Sequence, residues 1–249
     1  MTNMKKRAVI ASLLSFFLVF TLTLTGQTGE LITEKADKPS GHQIIKDKFI
    51  EGDPVWMTPV LICFLVGLTI VIERLITLYL SGINTQKFVA RIEDLLKTKG
   101  VEAAKEECRL TRGPVASIYF QGLDRVDEGI EKVEASVQSY GSVQMGILEK
   151  GMVWISLFIA LSPMLGFLGT VVGMIQAFDK IAEVGDISPT IVASGIKVAL
   201  LTTVAGLIVA IILQVFYNLI LSKIDSIAND MEEASISLTD MLIKNKIVK

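Results

Sequence analysis

Two threonines stand inside the most apolar parts of the chain, where few polar side chains occur. Thr170 lies in the stretch SPMLGFLGTVVGMIQA and Thr203 in the stretch ALLTTVAGLIVA. A threonine hydroxyl can hydrogen-bond to its own backbone, to water or to a carboxylate, but it does not titrate in the physiological range. A proton path needs a titrating group, and the apolar parts of both segments lack Asp and Glu. We therefore expect these hydroxyls to support a carboxylate that another molecule supplies.

Small residues share helical faces with the two threonines. Their spacings of three and four place them along one stripe of each helix; they are Gly166, Gly169 and Gly173 around Thr170, and Gly206 and Ala210 after Thr203. In water such glycines weaken a helix by about 1 kcal/mol each, whereas in lipid they allow the close backbone approach on which helix association depends. The pattern predicts packing or pore-lining faces and a homo-oligomer held together by them.

Three charged residues interrupt the apolar segments and admit two interpretations. Glu73 and Arg74 stand near one end of a long apolar run, and Lys197 stands near the outer end of another. Each could anchor the helix at the membrane interface, with a long side chain reaching the headgroups, or form a buried ion pair in an assembly. About 20 apolar residues already fill a bilayer before Glu73, so we favour the anchor, and we expect Lys197 to reach outward.

The remaining chemistry-bearing residues exclude several classes of protein. Cys63 lies in an apolar run and Cys108 in a charged one, a placement that predicts neither a disulfide nor a metal site. His42 is the single histidine, too few for a histidine metal site or a Ser-His-Asp triad. The net charge of −2 gives no electrostatic case for nucleic acid. We expect no enzyme activity, no metal and no cofactor.

Composition assigns the chain to the polytopic membrane proteins. Of its 249 residues 51% are hydrophobic and 20% charged, and the mean hydropathy is +0.56. We predict an all-α protein with three long transmembrane helices that extend into cytoplasmic helices. The predicted segments are 1–25 (signal peptide or anchor helix), 26–54 (extracytoplasmic), 55–80 (transmembrane), 81–151 (cytoplasmic helices), 152–178 (transmembrane), 179–190 (periplasmic loop), 191–221 (transmembrane) and 222–249 (cytoplasmic tail).

The distribution of basic residues along the chain predicts its orientation in the membrane. Lys5, Lys6 and Arg7 precede an apolar run, the layout of a signal peptide, although the run is long enough to remain as an anchor. The loop between the last two predicted spans has one basic residue, Lys180, whereas the central region and the tail have many more. The positive-inside rule therefore places the centre and the C-terminus in the cytoplasm.

Several segments resemble the ExbB/TolQ/MotA proton-channel family, nearest to its ExbB and TolQ members. They are LSPMLGFLGTVVGMIQAF, GIKVALLTTVAGLIVAI, RGPVASIYFQGL and EKGMVWISLFIA. The resemblance covers roughly residues 55–226 and is most specific in the two segments with glycine and threonine. By this likeness the family's pore-lining threonines fall on Thr170 and Thr203, and its helix-breaking proline falls on Pro163.

The resemblance implies a fold, a partner and a function. It implies a homopentamer around a central pore in the bacterial inner membrane, with the single membrane helices of an ExbD/TolR-type partner inside the pore. It further implies that proton motive force is converted into work on a TonB-type outer-membrane transport system, through contact with a TonB-like protein, or on a TolQ-like envelope or gliding and flagellar system. One departure stands out: Val198 occupies the place where the family often has a glutamate.

Two other classes of membrane protein compete with a channel subunit. A secondary transporter would be expected to show internal repeats and broken helices, and the sequence shows no repeat. A non-conducting scaffold would use the small-residue faces for packing alone. The threonines separate these alternatives, because a scaffold should tolerate valine at both positions and a channel should not.

Overall fold

A computed structural model of the chain describes residues 41–185 and 189–245. All regular secondary structure within these ranges is helical, as the composition predicts. The predicted signal peptide or anchor helix at residues 1–25 lies outside the described residues, and so does most of the predicted extracytoplasmic segment.

The described residues form eight α-helices and one short 3₁₀-helix at Val126–Glu128. The helices are α1 (Gly41–Glu51), α2 (Pro54–Ser81), α3 (Thr85–Thr98), α4 (Val101–Leu110), α5 (Pro114–Asp124), α6 (Ile130–Glu149), α7 (Met152–Val184) and α8 (Pro189–Lys244). Three helical stretches are long and apolar enough to cross a membrane, and they contain α2, α7 and α8. The protein is therefore an all-helical membrane protein, and the pentamer stays a prediction.

The start of α2 is set by the residues Asp53 and Pro54. The Asp53 carboxylate accepts a hydrogen bond of 3.0 Å from the backbone N–H of Val55, which satisfies one of the free donors at the helix start. Pro54 occupies the first helical position, where its missing N–H costs nothing. Asp53 itself has a φ of 60°, a conformation outside the helical region that separates α1 from α2.

Helix α7 is longer than the predicted span and continues through its proline. It runs from Met152 to Val184 with Pro163 inside, so Pro163 does not break the helix as the family pattern led us to expect. The polar residues after Phe178 remain helical, because nothing before Gly185 ends the helix. Gly185 takes the left-handed conformation, with φ 69°, and its N–H closes the last turn on the carbonyl of Ile181 at 3.0 Å.

Helix α8 extends far beyond the predicted span 191–221. It begins at Pro189 and ends at Lys244, so the predicted tail is mostly a continuation of the same helix. The reason is an apolar stripe at helical spacing that is buried in this half of the helix; its buried members include Ile220, Ile224, Ile227, Met231, Ala234, Leu238 and Leu242.

The main hydrophobic core lies where α3, α5 and α6 pack against the second half of α8, and α4 packs against α3 and α5. Tyr119 and Leu123 of α5, Ile92 of α3 and Leu238 of α8 are all nearly inaccessible. The first half of α8 packs instead on α7 through small residues.

Candidate functional site

The small-residue faces of α7 and α8 lie against each other, and these two helices make the most extensive contact between any pair of described elements. A Cβ atom added at Gly166 would be 2.8 Å from the carbonyl oxygen of Thr202, and one at Gly169 would be 2.7 Å from the Thr202 hydroxyl oxygen. A Cβ added at Gly173 would be 3.2 Å from the Cβ of Ala199. The two backbones can therefore approach this closely only because these positions are glycine.

The other predicted packing residues lie along the same pair of helices. A Cβ added at Gly206 would overlap the carbonyl oxygen of Ser162. Ser162 is fully buried, and its hydroxyl donates to the carbonyl of Phe158 at 2.7 Å. Pro163 and Ala210 are partly buried. The glycine faces are thus used between two helices of one chain, so any contact between subunits must use other surfaces.

Thr170 and Thr203 meet across this interface, although 33 residues separate them. Their hydroxyl oxygens are in hydrogen-bond contact, and either can be the donor. The Thr170 hydroxyl can also donate to the carbonyl of Ala199 at 3.0 Å or of Gly166 at 3.3 Å. The Thr203 hydroxyl can donate to the same Gly166 carbonyl at 3.1 Å. Each hydroxyl has one proton and several acceptors, so the pair can exchange donor and acceptor roles.

Thr202 completes the cluster and was missed by the sequence analysis. It is 1% exposed, and its hydroxyl can donate to the carbonyls of Ala199 at 2.7 Å and Gly166 at 3.2 Å. A signal was present: Gly195, Ala199, Thr202 and Gly206 follow one another at spacings of four, three and four. These spacings place Thr202 on the face of α8 that packs on α7.

The hydroxyls of the cluster can exchange donor and acceptor roles, but none of them titrates in the physiological range. It consists of three hydroxyl groups and two backbone carbonyls, and the apolar segments around it lack Asp and Glu. Thr170 and Thr203 are only partly buried, in contrast to Thr202. The described residues contain no group of three or more His, Cys, Asp or Glu side chains that could hold a metal ion.

Residues 111–233 match the MotA/TolQ/ExbB proton channel family. This range begins before α5 and contains all of α7, with Thr170 and the glycine face, and Thr202 and Thr203 of α8. The chain belongs to this family. The match supports the resemblance seen in the glycine and threonine segments.

Individual members of the family show the same relationship. The chain is 30% identical over 153 residues to a biopolymer transport protein ExbB homolog of Methanothermobacter thermautotrophicus, covering 61% of this chain and 54% of the relative. It is 33% identical to the biopolymer transport protein ExbB of Salmonella typhimurium over 53% of this chain and 50% of that one. It is 26% identical to ExbB of Neisseria meningitidis over 81% and 98%. The chain thus spans about half the length of the first two relatives.

Glu73 and Arg74 lie outside the range matched to the family and away from the threonines. The Arg74 guanidinium donates two hydrogen bonds of 2.6 Å to the carboxylate of its neighbour Glu73. Arg74 is 9% exposed. A Cβ added at Gly151 would lie 3.6 Å from its Nε atom, an ordinary contact distance. The carboxylate of Glu73 compensates the charge of the buried guanidinium.

Lys197 lies within the family range but at the far end of α8 from the main core. Its ammonium group forms a salt bridge with Glu51 of α1, and Lys48 contacts the same carboxylate at 2.6 Å. The hydrogen bond from Lys197, and then that from Lys48, hold the pKa of Glu51 below its usual value. Val198, where the resemblance suggests a glutamate, is partly buried. The structure thus brings Thr170 and Thr203 together, but neither Glu73 nor Lys197 joins them.

Proposed function

We propose that this chain is the channel-forming subunit of an ion-driven motor in the bacterial inner membrane. The observation that carries the proposal is the hydroxyl cluster of Thr170, Thr202 and Thr203, which lies within the largely apolar contact between α7 and α8. A cluster of hydroxyls within a membrane span supplies polar groups that water or a carboxylate can hydrogen-bond along a path for ions or protons. Membership of a proton channel family supports the same function.

A partner is required by the chemistry of the site. The threonines do not titrate, and the apolar parts of α7 and α8 offer no carboxylate, so the proton must be carried by a group that another chain supplies. We propose an ExbD/TolR-type single-span protein with an intramembrane carboxylate that takes hydrogen bonds from Thr170 and Thr203. Each such contact contributes roughly 1 kcal/mol in a membrane.

The assembly we propose is a homopentamer around a central pore. Because the glycine faces are occupied within the chain, neighbouring subunits would meet through exposed apolar side chains of the spans. Large examples are Met164, Phe167 and Val171 on α7 and Leu200, Val204 and Ile211 on α8. Orientation follows from the basic residues, with α3 to α6 and the end of α8 in the cytoplasm. The relatives are named biopolymer transport proteins, so transport of a biopolymer is the work we propose. The resemblance to the family adds coupling to a TonB-type system, and TolQ-like envelope maintenance is the nearest alternative.

A non-conducting scaffold is the second candidate, and one observation favours it. Each of the three threonine hydroxyls can donate to a backbone carbonyl of α7 or α8, so all three could serve helix packing alone. A channel differs from a scaffold in what happens when the hydroxyls are removed and the shape is kept.

The test is the double variant Thr170→Val and Thr203→Val, produced with the native partner in cells that lack the chromosomal copy. Valine keeps the shape and removes the hydroxyl. We expect normal membrane abundance and normal co-purification of the partner, with loss of transport driven by proton motive force. Proton entry into vesicles, followed with an internal pH dye, should fall in parallel.

A matched control is Thr69→Val on α2. The Thr69 hydroxyl is exposed and donates only to the carbonyl of Leu65 at 2.7 Å within its own helix, so the same chemical change occurs away from the cluster. Transport should be unchanged in this variant. Full transport by the double variant at equal membrane abundance would contradict the channel assignment and favour the scaffold.

A further inference from the structure

An open groove of about 690 Å³ runs between α6 and the second half of α8, in the part of the chain that extends beyond the predicted spans. Its floor is apolar and its rim is acidic. The apolar lining includes Ile118, Val137, Met145, Met231 and Ile236, and the acidic lining is Glu134, Glu232 and Asp240. Lys, Arg and His are all absent from the residues that line it.

The groove is built by the helical repeat of its two walls. On α8 the positions Ala228, Glu232, Ile236 and Asp240 recur every four residues, so apolar and acidic side chains share one stripe. Ile236 is 61% exposed, although the proposed topology places it in water. The three carboxylates are exposed, and within the described residues none of them has a salt-bridge partner. An apolar floor with an unneutralised acidic rim suits a basic segment with apolar side chains.

We propose that this groove binds the basic cytoplasmic flank of the single-span partner, an inference that rests on the proposed function. The positive-inside rule makes the cytoplasmic flank of a membrane helix rich in Lys and Arg. Such a flank emerges from the membrane next to α6 and α8 and carries the charge that the groove lacks.

The distances fit a short flank. Met145 and Glu134 mark the two ends of the α6 wall, and at 1.5 Å per residue Glu134 is about 25 Å before the start of α7. About eight residues of extended chain cover that length. The groove would therefore fix the partner on the cytoplasmic side, while the threonine cluster meets its carboxylate inside the membrane.

The test is site-specific photo-crosslinking in native membranes that contain the full chain and its partner. A benzophenone amino acid replaces Ile236 in the groove or, as a matched control, Ile243, which is 56% exposed on the same helix and does not line the groove. We expect position 236 to crosslink to a Lys- and Arg-rich peptide of the partner, identified by mass spectrometry, and position 243 to give little of this product. Equal yields at both positions would overturn the proposal.

Charge reversal supplies the second arm. Glu232→Lys should lower the yield from position 236 about fivefold or more, because a favourable pair becomes a repulsion. Glu233→Lys makes the same change at an exposed neighbour outside the groove lining and should leave the yield near that of the wild type. An unchanged yield in Glu232→Lys would also overturn the proposal.

Failure of this proposal can be told apart from failure of the proposed function. A crosslink from position 236 to a second copy of the chain would show that the groove is a subunit interface and refute partner binding there. The channel assignment would survive that result if the Thr170→Val, Thr203→Val variant still lost transport. Loss of the groove crosslink together with wild-type transport in the valine variant would count against both.

Discussion

At the scale of single residues, Thr202 and Thr203 are neighbours with different surroundings. Thr202 is buried, and its side chain packs against Gly169. Thr203 is partly buried, and its hydroxyl contacts that of Thr170. We predict that Thr202→Val destabilises the helix pair by about 1 kcal/mol, since its one hydroxyl hydrogen bond, to the carbonyl of Ala199 or of Gly166, is lost. Unfolding of the purified protein in denaturing detergent measures this, and Thr69→Val is the control. A shift in Thr69→Val as large as that in Thr202→Val would contradict the assignment.

At Gly206 the size of the side chain alone should determine how stably α7 and α8 pack. Alanine there brings a Cβ onto the Ser162 carbonyl oxygen, and overpacking of this kind costs about 1–3 kcal/mol. Gly146 of α6 is the matched control, because nothing lies within 4 Å of a Cβ added there. Gly146→Ala should leave stability unchanged or raise it by up to about 1 kcal/mol through helix propensity. Thermal unfolding of both variants in detergent compares them, and equal melting temperatures would contradict the close approach of α7 and α8.

The site residues that the sequence predicted and those that it missed differ in a physical way. Thr170, Thr203 and the glycines were predictable because polar and small residues are conspicuous in an apolar segment. That the glycine faces pack within one chain was not predictable, since spacing defines a face but not its partner. Thr202 was missed because Thr203 also shares a stripe with Gly206 and Ala210, although the spacing of Thr202 from Ala199 and Gly206 places it on the packed face.

At the scale of helices, the contact between α1 and the start of α8 depends on Glu51. Its carboxylate is shared by Lys197 and Lys48, whose hydrogen bonds lower its pKa below the ordinary value of 4.5. A carboxyl with a lowered pKa stabilises the folded contact above its unfolded pKa, and this stabilisation is lost as the pH falls through the lowered value. The pair should therefore be intact at neutral pH and open only in acid below 4.5.

Spin labels on exposed neighbours of this pair can follow the contact. Ile50 and Ile196 are 57% and 37% exposed and suit the labels. We predict that the distance distribution between them is narrow at neutral pH and broadens below the ordinary glutamate pKa, or at neutral pH in Lys197→Gln. Lys46→Gln is the control, since Lys46 has no salt bridge in the described residues. A narrow distribution in Lys197→Gln would show that other contacts hold α1.

Helix existence could be predicted from the sequence far better than helix length. The apolar runs predicted α2, α7 and α8. The predicted bounds of the spans, however, lie where the polarity of the sequence changes rather than where the helices end. Helix α7 ends at Gly185 and helix α8 begins at Pro189, and both residues were visible in the sequence. The helical extension of α8 to Lys244 could also have been read from its apolar stripe, since Ile224, Met231 and Leu238 recur every seven residues.

At the scale of the whole molecule, orientation in the membrane is the property that most of the proposals share. It can be tested with single cysteines, because the native thiols are hidden: Cys63 is 6% exposed and Cys108 is 2% exposed. Burial raises the pKa of Cys108 to about 12, so this thiol stays protonated and unreactive at neutral pH. Both native cysteines should remain unlabelled until the protein is denatured.

Two exposed positions on opposite proposed sides complete the experiment. Lys46 of α1 and Lys99 after α3 are exposed, and the basic-residue asymmetry places the first outside the cytoplasm and the second inside it. We predict that an impermeant maleimide labels Lys46→Cys in intact spheroplasts, while Lys99→Cys reacts only after lysis. The reverse pattern would show that the protein has the opposite orientation in the membrane. The groove between α6 and α8 would then face the periplasm, where the positive-inside rule no longer provides a basic flank to fill it.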